Sequence, residues 1–161
     1  MTSKRSVLVT GATGQQGGAV AHALLSRGHR VKALTRKPDG DAARKLVSAG
    51  AEIVTGDLGD GASVLAAARD IDTMFLMGTS YEAGTEAETR QGIIAADAAK
   101  AAGVGHLIYS SVADADRKTG IPHFESKHLV ERHVAGLGIP TTISAPVAFM
   151  ENIVAPWPIG G

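Results

Sequence analysis

The run Val7-Leu8-Val9-Thr10-Gly11-Ala12-Thr13-Gly14-Gln15-Gln16-Gly17-Gly18 constrains this chain more than any other stretch. An apolar, β-branched segment ends in a glycine-rich turn, and a helical pattern follows at Ala19, Val20, Ala23 and Leu24. Strand, glycine turn and helix together form the phosphate-binding corner of a dinucleotide fold. Gly11 permits a backbone turn closed to residues that carry a side chain. Gly14 has no Cβ, so a pyrophosphate can approach the main chain, and Gly17 lets the helix pack close to the strand. The helix N-terminus then offers free N–H groups and a partial positive charge to the phosphates. Thr13, Gln15 and Gln16 fill the intervening positions and join the three glycines as candidate cofactor-binding residues. The spacing is Gly-x-x-Gly-x-x-Gly, not the Gly-x-Gly-x-x-Gly of dehydrogenases with a separate catalytic domain. A glycine triplet alone is a weak signal; its place in the first strand–helix unit gives it meaning.

The rest of the chain repeats that alternation. Apolar strands are expected at Val31–Thr35, Ala51–Thr55, Ile71–Met77, Gly105–Ser110 and Gly138–Ser144. Helices are expected from an Asp41 cap through Val47, from about Gly61, from Thr85 to Ala102 and from Pro122 to Ala135, with Gly28 closing the first helix. Strict strand–helix alternation predicts a doubly wound parallel sheet with helices on both faces: a three-layer α/β/α sandwich, the Rossmann fold. At 161 residues the chain is sized for a single domain. Ligands in such sheets bind at the carboxyl ends of the strands, near the point where strand order reverses.

Composition narrows the chemistry by exclusion. Sixteen basic and 16 acidic residues cancel, which gives no reason to expect nucleic acid or an anionic membrane as partner. With no cysteine, neither disulfides nor thiol catalysis is available. Among the six histidines no two stand four apart, and His123, His128 and His133 are spread round their helix, so no metal site is expected. Met1-Thr2-Ser3-Lys4-Arg5 leads straight into the first strand without a signal-peptide h-region, and no stretch is long and apolar enough for a membrane span. A soluble cytoplasmic protein is the expectation.

The strand ends supply the candidate site. The second strand ends at Arg36-Lys37, where NAD-specific sites carry an acidic residue. A guanidinium can grip a 2′-phosphate in a fork, so NADP(H) is preferred over NAD(H); the alternative is a pair of solvated loop cations. After the third strand stand Gly56-Asp57-Leu58. Asp57 either accepts from an adenine amino group or caps the next turn. Gly78-Thr79 after the fourth strand either lets backbone pass a ribose or forms a plain turn. Ser110-Ser111 close the fifth strand, and Lys127 follows on the next helix.

Taken in order, the glycine turn, Thr35-Arg36-Lys37, Gly56-Asp57-Leu58, Tyr109-Ser110-Ser111-Val112, His123-Phe124-Glu125-Ser126-Lys127 and Pro146-Val147-Ala148-Phe149-Met150-Glu151-Asn152 resemble the NmrA-like family of atypical short-chain dehydrogenases/reductases. The resemblance covers nearly the whole chain. It implies binding of a dinucleotide, and it implies a Ser, Tyr and Lys set in which Tyr precedes Lys by four residues. Lys127 matches that lysine, and Ser111 or Ser110 the serine. At the tyrosine position stands His123, while Tyr109 lies on the strand, out of place to substitute. Lys127 is expected to hold the nicotinamide ribose, the alternative being an exposed helix cation. His123 either shuttles a proton or lines the cleft.

The resemblance further implies that members continue past the Phe149–Asn152 stretch into a segment that covers the substrate side. This sequence closes at Trp157-Pro158-Ile159-Gly160-Gly161, so little or no C-terminal substrate domain is expected within it, and residues 1–161 read as one NAD(P)-binding domain. The chain is either a natural short form or part of something longer. An apolar patch left bare would favour a homo-oligomer or instability. Two functions follow. One is an NADPH-dependent reductase of a small carbonyl or quinone acceptor; the other is a non-catalytic NADP(H) redox sensor that acts through a regulatory protein partner. A sugar-nucleotide epimerase is a weaker third, since the Tyr-x-x-x-Lys pair is lacking.

Overall fold

The computed structural model describes residues 3–147 and 149. Six parallel strands form one sheet in the order β3-β2-β1-β4-β5-β6. They are β1 (Ser6–Val9), β2 (Arg30–Thr35), β3 (Glu52–Thr55), β4 (Thr73–Leu76), β5 (His106–Ser110) and β6 (Thr141–Ser144). Five helices join them: α1 (Gln15–Ser26), α2 (Asp41–Ser48), α3 (Gly61–Ala67), α4 (Gly84–Ala101) and α5 (Pro122–Gly136). This is the Rossmann fold that the alternation predicts.

Strand side chains alternate between two apolar layers, as burial on both faces requires. Leu8, Leu34, Met74, Leu76, Leu107 and Tyr109 pack with α3, α4 and α5 through Val64, Ala95, Ala99 and Val130. Val7, Val9, Val31, Ala33 and Phe75 face the other way, against Ala21 of α1 and Leu46 of α2. Small residues let these layers close. Gly92 of α4 is the tightest such point between helices: a Cβ there would lie 2.7 Å from Val130 Cγ2 of α5.

Three sequence expectations need correction, the first being the start of β6, which lies at Thr141 rather than Gly138. Helix α1 begins at Gln15, directly after the turn, with Gly14 as its N-cap and Gly18 N–H donating to the Gly14 carbonyl at 2.9 Å. Its first turn carries no apolar periodicity because it projects over the strand ends rather than onto the sheet. Asp41 is not the cap of α2. Gly40 takes that position, and Asp41 is the first helical residue, where its charge complements the helix dipole and pairs with Arg44. Strand β4 is shorter than the apolar run that contains it, since Ile71 and Met77 lie outside the ladder.

The order reverses between β1 and β4, and the sheet is pinned at both ends of that pair. At the entrance, Asp72 Oδ2 accepts from Ser6 N at 2.6 Å and from Ser6 Oγ at 2.8 Å. At the carboxyl end, Thr10 Oγ1 donates to Met77 O at 2.9 Å and accepts from Met77 N at 2.8 Å. No helix among the described residues is long and apolar enough to cross a membrane.

Candidate functional site

The glycine turn is built as its sequence requires. Gly11 sits at φ +60°, in the left-handed region. Its carbonyl accepts from Gly14 N at 3.0 Å and closes the turn. Gly17 is buried beneath it: a Cβ at Gly17 would lie 2.2 Å from Gly11 O and 2.8 Å from Thr10 O. Only hydrogen fits there, so α1 can start hard against the end of β1. Gly14 differs, because a Cβ there meets nothing closer than Gly11 O at 3.4 Å. Its bare face lies open to the cleft.

Two cavities open over the carboxyl ends of the strands. The first, about 530 Å³, runs from Gly11, Thr13 and Gly14 past Arg36 and Lys37 to Asp57 and Leu58. The second, about 440 Å³, is enclosed by Gln16, Ser110, Ser111, His123, Phe124 and Lys127. Met77, Gly78 and Thr79 line both, so the two adjoin at the point where strand order reverses. Of the predicted site residues only Gln15 and Gly17 line neither. Gln15 is an exposed first-turn residue and Gly17 lies beneath the turn.

In the first cavity, Asp57 Oδ1 accepts from Gly59 N at 2.7 Å, so it caps the turn while also lining the wall. Arg36 meets a partner no sequence pattern indicated. Its Nη2 lies 2.5 Å from Oε2 of Glu82, in the loop between β4 and α4. That hydrogen bond and charge hold the guanidinium's pKa above its ordinary value. Lys37 has no ion-pair partner among the described residues.

In the second cavity the polar groups converge. Gln16 Nε2 donates to Ser110 Oγ at 2.8 Å, which links α1 to the end of β5. Ser111 is 3 % exposed, and its Oγ has no hydrogen-bond partner among the described residues. A buried hydroxyl without a partner costs free energy unless something else supplies one. His123 is exposed at the mouth, edge-on to Phe124 at 4.8 Å between ring centroids. The rim is apolar, with Val147 74 % and Phe149 40 % exposed.

Lys127 is not a free cation. Its Nζ lies 2.8 Å from Glu88 Oε1 and donates to Gly78 O at 3.2 Å and to Ser110 O at 3.5 Å. The other carboxylate oxygen of Glu88 accepts from Ser126 Oγ at 2.7 Å. Three donors therefore meet three acceptors in a nearly dry site. Glu88 is, with Glu82, a residue that sequence reasoning missed. Its signal is its place on the face of α4 shared with Gly92, Ala95, Ala96 and Ala99, where every other residue is small and buried. Tyr109 lies with its ring 5.8 Å from Lys127 Nζ. Burial, then the charges of Glu88 and Glu131, push its phenol above the ordinary tyrosine range and keep it protonated. His128 pairs with Glu131 and His133 with Asp97, and no group of three potential metal ligands gathers among the described residues.

The residues fit a dinucleotide: a turn whose bare glycine face admits phosphate, two cations at the end of β2, and an unpartnered hydroxyl in the adjoining cavity. Known proteins point the same way. An NmrA-like family domain-containing oxidoreductase from a Cladobotryum species is 36% identical over 161 residues, covering 92% of this chain and 48% of that protein. The chain spans about half the length of the curated relatives it matches. An NADPH-dependent quinone oxidoreductase from Escherichia coli, solved with NADPH, superposes with a TM-score of 0.81 at 29% identity, over 92% of this chain and 51% of that one. NmrA, a negative transcriptional regulator solved with NADP and also with NAD, superposes at 0.78 with 28% identity, over 88% of this chain and 45% of that one. The sequence pattern shared by such proteins runs through this one from residue 3 to residue 160, and the chain belongs to the NmrA-like family.

Proposed function

We propose that this chain is an NADP(H)-binding domain of an oxidoreductase whose acceptor is a small carbonyl or quinone compound. The observation that carries the reading is the pair of adjoining cavities, with phosphate chemistry in one and an unpartnered hydroxyl in the other. Gly11, Thr13, Gly14 and the first turn of α1 would hold the pyrophosphate, Arg36 and Lys37 the 2′-phosphate, and Asp57 and Leu58 the adenine side. Gly78, Thr79, Gln16 and Ser110 would border the nicotinamide half. When bound, the dinucleotide supplies a hydride.

Ser111 Oγ, buried beside the second cavity, would hydrogen-bond an acceptor oxygen and support the negative charge that grows there. His123, at the wet mouth, is the candidate to return a proton to that oxygen. Lys127, with its charge already met by Glu88, fixes the ends of β4 and β5 through two carbonyls rather than activating a tyrosine. An acceptor such as a quinone suits this arrangement, because a reduced quinone oxygen is a weak base that needs no strongly activated acid.

A second reading is a redox sensor that acts through a protein partner. The absence of a tyrosine at position 123 and the exposed Tyr81, Val147 and Phe149 at the rim favour it. Under either reading the chain serves as one dinucleotide-binding domain. Following absorbance at the nicotinamide band while a quinone panel is added to protein and NADPH separates them. Acceptor-dependent oxidation supports the reductase, and binding without turnover supports the sensor.

A further inference from the structure

We propose that Glu82 sets cofactor selectivity by acting as an internal counter-anion, its carboxylate occupying the Arg36 guanidinium that a 2′-phosphate would otherwise find free. The inference rests on the dinucleotide reading above. Arg36 stands at the end of β2, and Glu82 comes 46 residues later, on the loop that leads from β4 into α4. That loop is shaped locally: Tyr81 N donates to Thr79 Oγ1 at 3.2 Å and Gly84 N to Ser80 O at 2.9 Å. Both members of the pair line the first cavity. Their side chains are 57% and 62% exposed, so the contact is accessible and weakly held rather than locked.

A carboxylate and a phosphate present the same oxygen acceptors to a guanidinium fork. A dinucleotide with a 2′-phosphate must displace Glu82 and then tolerate its charge nearby. One without that phosphate can leave the Arg36–Glu82 pair as it is. Glu82 therefore penalises NADPH and spares NADH, and the preference that Arg36 and Lys37 confer is moderated by it.

The test is calorimetric titration of wild type, Glu82→Gln and Arg36→Ala with four probes: adenosine 2′,5′-bisphosphate, AMP, NADPH and NADH. Circular dichroism checks that each variant is folded. At low salt, Glu82→Gln should tighten adenosine 2′,5′-bisphosphate and NADPH by roughly two- to fivefold, the size of one exposed ion pair. AMP and NADH should not change, and the gain should shrink as salt approaches about 1 M. Equal change for both classes of probe, or none, overturns the role of Glu82 while leaving the dinucleotide site standing. If neither wild type nor Glu82→Gln binds any of the four, the dinucleotide reading fails and this inference with it.

Discussion

Glu88 and Lys127 form a buried ion pair, and breaking it from one side should be far more harmful than removing it whole. Glu88 is 2% exposed and the Lys127 side chain 14% exposed. In Glu88→Ala the ammonium keeps only the carbonyls of Gly78 and Ser110, which can accept hydrogen bonds but cannot neutralise charge. Ser126 Oγ loses its carboxylate acceptor as well. An uncompensated buried charge costs about 3–5 kcal/mol. For a chain of this length each kcal/mol is worth about 2–4 °C in Tm, so the variant should melt about 6–20 °C below wild type. Lys127→Met strands the carboxylate instead and should cost a similar amount. The double variant Glu88→Met with Lys127→Met removes both charges and fills the space with apolar atoms, so it should lie close to wild type. Thermal and urea unfolding of the four proteins closes a double-mutant cycle. A coupling below about 0.5 kcal/mol, with the single losses simply adding, would refute the claim that the two charges are held by each other.

Other predictions follow from single contacts. Gly17→Ala drives a Cβ into the Gly11 carbonyl at 2.2 Å and should cost about 3 kcal/mol in urea unfolding. Gly14→Ala has room in the free protein, at 3.4 Å, and should leave stability within about 1 kcal/mol while abolishing dinucleotide binding. Equal stability loss in both would contradict the assignment of these glycines. Hydrogen bonds from Ser6 N and Ser6 Oγ hold the Asp72 carboxyl below its ordinary range. Its contribution is therefore present above the ordinary aspartate pKa and is lost as pH falls through the lower folded value. Asp72→Asn should be less stable than wild type at pH 7, and the gap should narrow below about pH 4; a gap constant with pH would count against this.

The sequence carries the fold and one side of the site more clearly than the other. Strand ends announce themselves: Gly11, Arg36, Asp57, Gly78 and Ser110 each terminate a β-branched or apolar run, and the parallel topology brings those ends together. The start of α1 is invisible to periodicity because its first four residues, Gln15, Gln16, Gly17 and Gly18, include no apolar side chain: Gln15 is exposed, Gln16 lines the second cavity and Gly17 packs under the turn. Glu82 left no trace at all, since an exposed loop glutamate reaches Arg36 only through the crossover from β4. Glu88 left a faint one, a lone acidic residue on a face of alanines and a glycine. Lys127 shows the limit of reading a motif by position. The spacing to His123 is plain in the chain, but the partner that engages the lysine lies 39 residues earlier, on α4.

Dinucleotide binding across the two cavities is the property on which the proposed function rests. Calorimetric titration of the protein with NADP+, NADPH, NAD+ and NADH tests that most directly. It predicts saturable one-to-one binding, tighter for the phosphorylated pair, with that preference lost in Arg36→Ala and all binding lost in Gly14→Ala. No heat of binding from any of the four, in a protein shown to be folded, would contradict it and leave the glycine turn a purely structural corner.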